Sequence, residues 1–326
     1  MKRPAAPWCL NPRGVRILQS DNISPAESAA WAVITPSYRG DFTRCQLLCE
    51  SLNAFVSGEW HHYIIVERVD LELFRDLQGP KRSIIEMESL LPPWMHHLTT
   101  LSFINNRSIW FSFRTLFMIG WQIQQLIKLE MAFRVPETGL LYCDSDVFFM
   151  RPFDMSQLVV NGQYRFFHSD TDEPKETAAN PTYMIAASKQ LGLGKNPFPC
   201  RSYVDNMVTW HAPTVRALCA HIEKLSRRDW KAALGRHFII SEYSLYGLFV
   251  DRVLEDKSKL FSTNAAICKT IWHDKDLGPA GLGEYCDNLA PPVVAVGFQS
   301  FLGISIADLA IQLKRAIKQW SKNVAN

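Results

Sequence analysis

The apolar positions of this chain fall into two patterns. Unbroken runs at Ala32-Val33-Ile34-Thr35, Tyr63-Ile64-Ile65-Val66, Ser83-Ile84-Ile85 and Leu140-Leu141-Tyr142-Cys143 have the length of strands covered on both faces. Between them, apolar residues recur at helical spacing: Phe42, Cys45, Leu48, Cys49, Leu52 and Val56 after Asp41, a short helix around Leu71 to Leu77, and Ile119, Ile123, Leu126 and Ile127. Strands separated by helices predict a parallel sheet with right-handed crossovers.

The second half is less regular. Strands are expected at Tyr164 to Phe167, Thr182 to Ile185 and Asn206 to Trp210. A helix opening around Pro213 would bury Val215, Leu218, Cys219 and Ile222, and a helix capped by Ser241 would bury Leu245, Leu248, Phe249 and Val253. Residues 1–29 are rich in proline and polar residues and read as an arm over the main body. A last helix starts at Ser305, with Asp308 three residues on, and lines up Ile306, Leu309, Ala310, Leu313, Ile317 and Trp320. Its late cations (Lys314, Arg315, Lys318, Lys322) suit either a docked helix or one lying on a membrane surface.

Composition narrows the class. The 326 residues are 47% hydrophobic and 21% charged, which is globular and excludes disordered and collagen-like chains. A net charge of +3 without a dense basic block gives no sign of nucleic-acid binding. No apolar stretch reaches the ~20 residues of a membrane span, and the first residues lack a signal-like apolar core. Eight scattered cysteines, with no C-x-x-C pair, fit a reduced compartment, with Cys45 and Cys49 as small core residues. The expectation is a soluble, cytoplasmic protein, peripheral at the inner membrane if the last helix lies on lipid.

The candidate chemistry sits after the fourth run, where a hydrophobic strand delivers Asp144 and Asp146, one residue apart, to the edge of a cleft. Two such carboxylates can hold one hard divalent ion that completes its shell with diphosphate oxygens. Asp-x-Asp alone also occurs as solvated loop carboxylates. Here apolar residues flank both sides, and an idle buried acid pair would be costly.

Four segments, in order from residue 31 to about 250, resemble the GT-A-fold glycosyltransferases, in particular a largely uncharacterised bacterial family of GT-A-like proteins. They are Val33 to Asp41, Gly120 to Lys128, the Asp144/Asp146 strand, and Ser241 to Gly247. The resemblance implies an α/β fold of the GT-A, Rossmann-like type: a central, mostly parallel sheet flanked by helices. Residues 30–150 would form the nucleotide-sugar half, 151–303 the acceptor half and 304–326 the C-terminal amphipathic helix. It implies a metal-dependent transferase moving a sugar, with inversion, from a nucleotide-diphosphate sugar (a UDP-sugar) to a glycan or glycolipid acceptor in bacterial surface polysaccharide synthesis.

By that resemblance Thr35, Pro36 and Tyr38 receive base and ribose, and Glu67 meets uracil or is merely an exposed strand-end acid. Asp41 is a helix N-cap or a ligand contact. Gln125 and Lys128, on one helix side with Trp121 and opposite the apolar stripe, reach the diphosphate or the sugar, or are solvated surface residues. Arg107 and Arg114 neutralise phosphate or pack on aromatic rings. Asp146 binds Mn2+ or Mg2+ directly, Asp144 binds ribose or the ion, and His273 is the third ligand. Glu242 is the base that takes the acceptor's proton, or complements a helix dipole. Asp205, Asp170 and Asp172 are further candidates for sugar or acceptor contacts. Competing readings are a non-catalytic nucleotide-sugar-binding protein on the same fold and a haloacid-dehalogenase-like phosphatase, whose pattern wants Thr or Val where Phe148 stands.

Overall fold

The computed structural model describes residues 8–10, 14, 16–18, 31–98, 108–115, 117–169, 181–198, 201–272, 277, 281–299 and 302–325. In chain order the elements used below are β1 (Trp8–Leu10), β2 (Arg16–Leu18), β3 (Trp31–Pro36), α1 (Phe42–Phe55), β4 (Trp60–Val66), β5 (Arg82–Glu86), α2 (Gly120–Arg134), β6 (Gly139–Cys143) and β7 (Val147–Phe149). There follow β8 (Gln163–Phe167), α3 (Pro181–Gln190), β9 (Met207–His211), α4 (Ala212–Ser226), α5 (Glu242–Arg252), β10 (Leu260–Thr263), β11 (Cys268–Ile271), β12 (Ala295–Phe298) and α6 (Ile306–Ala325).

The central sheet runs β1-β2-β5-β4-β3-β6-β9. Its inner four strands are parallel, and both flanks are antiparallel: β2 against β5 at Ile17–Ile85, and β9 along all of β6. The fold is therefore α/β with a mostly parallel sheet. The four strands read by sequence at Ala32, Tyr63, Ser83 and Leu140 are its middle. They are buried on both faces because alternate residues feed two different cores. Ala32, Ile34, Leu140 and Tyr142 face α2, α4 and α5, whereas Trp31, Val33, Leu141 and Cys143 face α1, β7, β12 and α6.

Three expectations change. The arm does not simply lie over the body, since β1 and β2 extend the sheet by backbone pairing. Thr182 to Ile185 is not a strand but the first half of α3. Pro181 stands at its first position, and Met184, Ala187, Ser188 and Leu191 bury at helical spacing. The helix-forming run that follows outweighs three residues of strand-like preference. Ile119 is no part of the apolar stripe of α2; it is the exposed residue before the helix, held by the Gln122 side chain accepting from its N–H at 2.9 Å.

Other local rules hold. Ser241 caps α5, its hydroxyl accepting from Ser244 N–H, and Gly247 lies under the Tyr203 ring, where a Cβ would stand 2.0 Å from ring carbon. The last helix docks: Leu309 and Leu313 are buried against the α1 side of the core, while Lys314, Arg315, Lys318 and Lys322 face outward. Among the described residues no helix is long and apolar enough to cross a membrane.

Candidate active site at the sheet's switch point

Strand order β5-β4-β3-β6 grows outward from β3 in both directions, so the switch point lies between β3 and β6. Ligands of open α/β sheets bind outside the carboxyl ends of strands at such a point. The carboxyl end of β3 delivers Pro36 and Tyr38, and that of β6 delivers Asp144. The chain then turns through Ser145 and Asp146, closed by Val147 N–H donating to the Asp144 carbonyl at 3.1 Å, and enters β7 in a second small sheet beside β12.

Asp144 is half-buried, with 38% of its side chain exposed, whereas Asp146 is buried and its Oδ1 has no hydrogen-bond partner among the described residues. Burial, then Asp144, then Asp41 push the Asp146 carboxyl up to about 8. Asp41 stands at the N-cap position of α1 but makes no capping bond. Its carboxylate meets Arg44 and the Ser145 hydroxyl, each at 3.4 Å, and burial raises its pKa. A helix-cap reading of Asp41 is thereby replaced: it is a third acid beside the pair.

Next to Asp144, Asp205 and Asn206 lead into β9, the Asn206 carbonyl accepting from Asp144 N–H at 3.4 Å. Asp205 Oδ1 accepts from Asn206 N–H (2.8 Å) and from the Thr270 hydroxyl (3.2 Å), but Oδ2 has no partner. Asn206 Oδ1 accepts from Gln299 (3.1 Å), and its Nδ2 has no partner. Nearby Arg165 donates one bond to the Ala265 carbonyl and leaves Nη1 unmet. Burial pushes Asp205 up to about 7. Each unmet buried polar atom costs roughly 1–3 kcal/mol, so four in one region mark a surface built to bind something polar. Sequence reading singled out Asp205 and missed Asn206 and Arg165, whose signal is only their place on the strands beside β6.

Lys128 and its neighbours turn the other way. The Lys128 ammonium is buried, donates to the Tyr243 hydroxyl at 2.9 Å, and stands 3.1 Å from Glu242 and 3.5 Å from Asp144. Burial opposes its charge, but Asp144, Tyr243 and Glu242 outweigh it and hold the lysine well above its usual pKa. Gln125 is buried with its side-chain amide against the Glu242 carboxylate, nitrogen toward Glu242 being the orientation that satisfies both ends, and Glu242 itself is fully buried beneath the pair. Neither Lys128 nor Gln125 is a solvated surface residue, and neither offers a free donor to a diphosphate, because their polar atoms are spent on Glu242 and Asp144. Thr35 is corrected in the same way: its hydroxyl donates to the Cys143 carbonyl (2.7 Å) and meets His62 (2.9 Å), locking β3, β4 and β6 together.

Tyr38 remains open to the cleft at 50% exposure. Its ring lies against Gly40, where any Cβ would collide with it at 2.4 Å, and the following Arg39 ties the loop to Asp70 at 2.7 Å. Glu67 ends β4 beside it, half-buried. Arg114 packs over the Trp94 ring at 5.5 Å. Arg107, Asp170, Asp172 and His273 lie outside the described residues. Among the described residues no three His, Cys, Asp or Glu side chains form a complete metal-ligand group. The acids nonetheless suit a partly hydrated cation, because an orphan carboxylate oxygen among like charges is what such an ion relieves.

Fold and site define an α/β protein with a cluster of acids at the switch point of its sheet. The chain belongs to the family of unknown function DUF6492, whose profile matches residues 32–276. No curated protein sequence matches it. Among solved structures it is similar to mouse xyloside xylosyltransferase 1 in its apo form, at 10% identity and a TM-score of 0.45 over 84% of this chain and 99% of that one. It is also similar to the apo glycosyltransferase GlyE of Streptococcus pneumoniae TIGR4, at 12% identity and a TM-score of 0.44 over 90% of this chain and 63% of that one. A third is the galactosyltransferase LgtC in complex with donor and acceptor sugar analogs, at 9% identity and a TM-score of 0.41 over 87% and 95%. These are distant chains, and the chemistry of the site is read below from its own residues.

Proposed function

We propose that the protein is a glycosyltransferase of the GT-A type that moves a sugar from a nucleotide-diphosphate donor, a UDP-sugar, to a hydroxyl of a glycan or glycolipid. One observation carries the reading: at the switch point, Asp146 keeps a buried oxygen without a partner beside Asp144 and Asp41. In this reading donor binding falls before residue 150 and acceptor binding after it.

Tyr38 and Glu67, on neighbouring strand ends, would take the base and ribose, with Pro36 setting the loop that carries Tyr38. Asp146 and Asp144 would hold a divalent cation, with His273 the proposed third ligand. When bound, that ion neutralises the charge that gathers on a departing diphosphate. Asn206 would hold a sugar hydroxyl through its open amide nitrogen.

In an inverting reaction the acceptor oxygen forms its bond to the anomeric carbon as the carbon–diphosphate bond breaks. The electron pair leaves with the diphosphate, and the acceptor's proton goes to a protein base. Glu242 was the expected base, but Lys128 and Gln125 occupy its carboxylate. Asp205 has the free oxygen and a pKa near 7, which suits a base at neutral pH, and so we assign it that role. Glu242 then positions Lys128, and through it Asp144.

The test is a donor screen with the purified chain, reading nucleoside-diphosphate release with and without Mn2+, beside calorimetric titration of the nucleoside diphosphates. Metal-dependent release that Asp146→Ala abolishes supports the reading. Tight binding with neither hydrolysis nor transfer would point to a non-catalytic binding protein instead.

A further inference from the structure

The polar face of α2 links the buried site to an exposed one. Trp121, Gln125 and Lys128 share a side of the helix, so Trp121 stands about 10 Å along the axis from Lys128, two turns nearer the surface. Around it lies a patch of apolar side chains with no polar atoms: Phe113 is 94% exposed, Phe238 76% and Phe117 60%, with Ile119 also exposed. Three of its rings touch, and Phe238 is tied in through its backbone. Phe111 contacts both Phe113 and Phe117 at 5.0 Å between ring centroids, and Gln122, in the first turn of α2, donates to the Phe238 carbonyl at 2.9 Å. Cations are interleaved with the rings: Arg114 follows Phe113, Arg236 precedes Phe238 by two, and Arg236 reaches the Arg114 carbonyl at 3.4 Å.

We propose that this patch docks onto an anionic phospholipid surface and so presents the cleft to an acceptor carried in that membrane. The observations favour lipid over a sugar or a folded partner. Phenylalanines that stand more than half free of the surface, Phe113 almost wholly so, present no polar edge for a sugar hydroxyl. Phe and Trp at the acyl boundary with arginines at the phosphates is the arrangement that interfacial binding uses. A contiguous exposed apolar cluster of this kind is otherwise a liability for a chain in water. The cations of α6 have only Ile311 and Trp320 exposed beside them, because that helix has buried Leu309 and Leu313 against the body. That the membrane carries the acceptor rests on the transferase reading; the lipid contact itself does not.

The experiment sediments the full chain with vesicles of phosphatidylethanolamine and phosphatidylglycerol, and with vesicles of phosphatidylcholine alone. Wild type should bind the anionic vesicles at least tenfold more tightly. F113S/F117S/F238S should lose at least tenfold, R114Q/R236Q should lose the preference for anionic lipid, and the α6 variant K314Q/K318Q/K322Q should stay within twofold of wild type. Unchanged melting would show that the variants are folded. The proposal is overturned if wild type stays in the supernatant, if the patch variants bind normally, if the α6 variant is the one that lets go, or if the patch instead holds two copies together by sedimentation equilibrium. Donor hydrolysis without acceptor is read in parallel and should not change in the patch variants. Vesicle binding without hydrolysis of any donor would leave the surface standing and remove the transferase reading, and the reverse result would do the opposite.

Discussion

Two polar clusters meet at Asp144, and they differ in how well their atoms are satisfied. On the α2 side, Lys128, Glu242, Gln125 and Tyr243 close on one another, and Thr35, His62 and Arg82 do the same below. On the β9 side, Asp146, Asp205, Asn206 and Arg165 each keep a buried atom without a partner. Both sets are buried, so burial alone does not distinguish structure from site. Unmet buried atoms also occur singly elsewhere, at Trp60 and Gln190 among others, so it is their gathering beside Asp144 that distinguishes this side.

The sharpest way to break this comparison is to open the closed cluster. Lys128→Met leaves Glu242 charged and buried without its cation, and should lower unfolding stability by about 3–5 kcal/mol in denaturant titration. Lys128→Met with Glu242→Leu should recover most of it. If the single variant is neutral, the ammonium is not holding the cluster. Asp146→Asn works in the opposite sense: turnover should fall on the order of 10²–10³-fold while the melting temperature rises, since an amide carries neither the burial penalty nor the repulsion from Asp144 and Asp41 that a carboxylate meets there. A fall in both would place Asp146 with the structural set.

Asp205→Asn should slow transfer about 10²-fold, flatten the acid limb of its pH profile near 7, and leave donor binding close to wild type. Loss of donor affinity instead would make Asp205 a sugar contact and not the base. The smallest effect belongs to His62, fully buried between Thr35 and Arg82, where burial and then Arg82 hold its pKa well below normal. Its unfolded form takes up a proton near pH 6.5 that its folded form refuses, so stability should decline as pH falls below 6.5, by about 1.4 kcal/mol per pH unit. His62→Gln should remove that share of the slope, and an unchanged slope would clear the residue.

The inward-facing helix residues show why parts of the site were illegible. Trp121, Gln125 and Lys128 could be put on one side of α2 from spacing alone, but spacing does not say whether that side meets water or Glu242, more than a hundred residues later. The cap reading of Asp41 failed for the same reason, since position correctly put it before α1 but only the fold brings it to Ser145 and the acid pair. Thr182 to Ile185 is strand-like only in isolation; Pro181 and the helix-forming run after it make the segment α3.

The sequence by itself determined the four inner strands, the helices after Asp41, Pro213 and Ser241, and the place where an acid pair leaves a buried strand. These follow from local periodicity and capping, which act over a few residues and can be read over a few residues. Only the tertiary structure decided which polar atoms are already spent. That depends on partners brought together by the sheet order: Lys128 against Glu242, Thr35 against Cys143, and Asp205 and Asn206 laid beside Asp144 with an oxygen and a nitrogen still open.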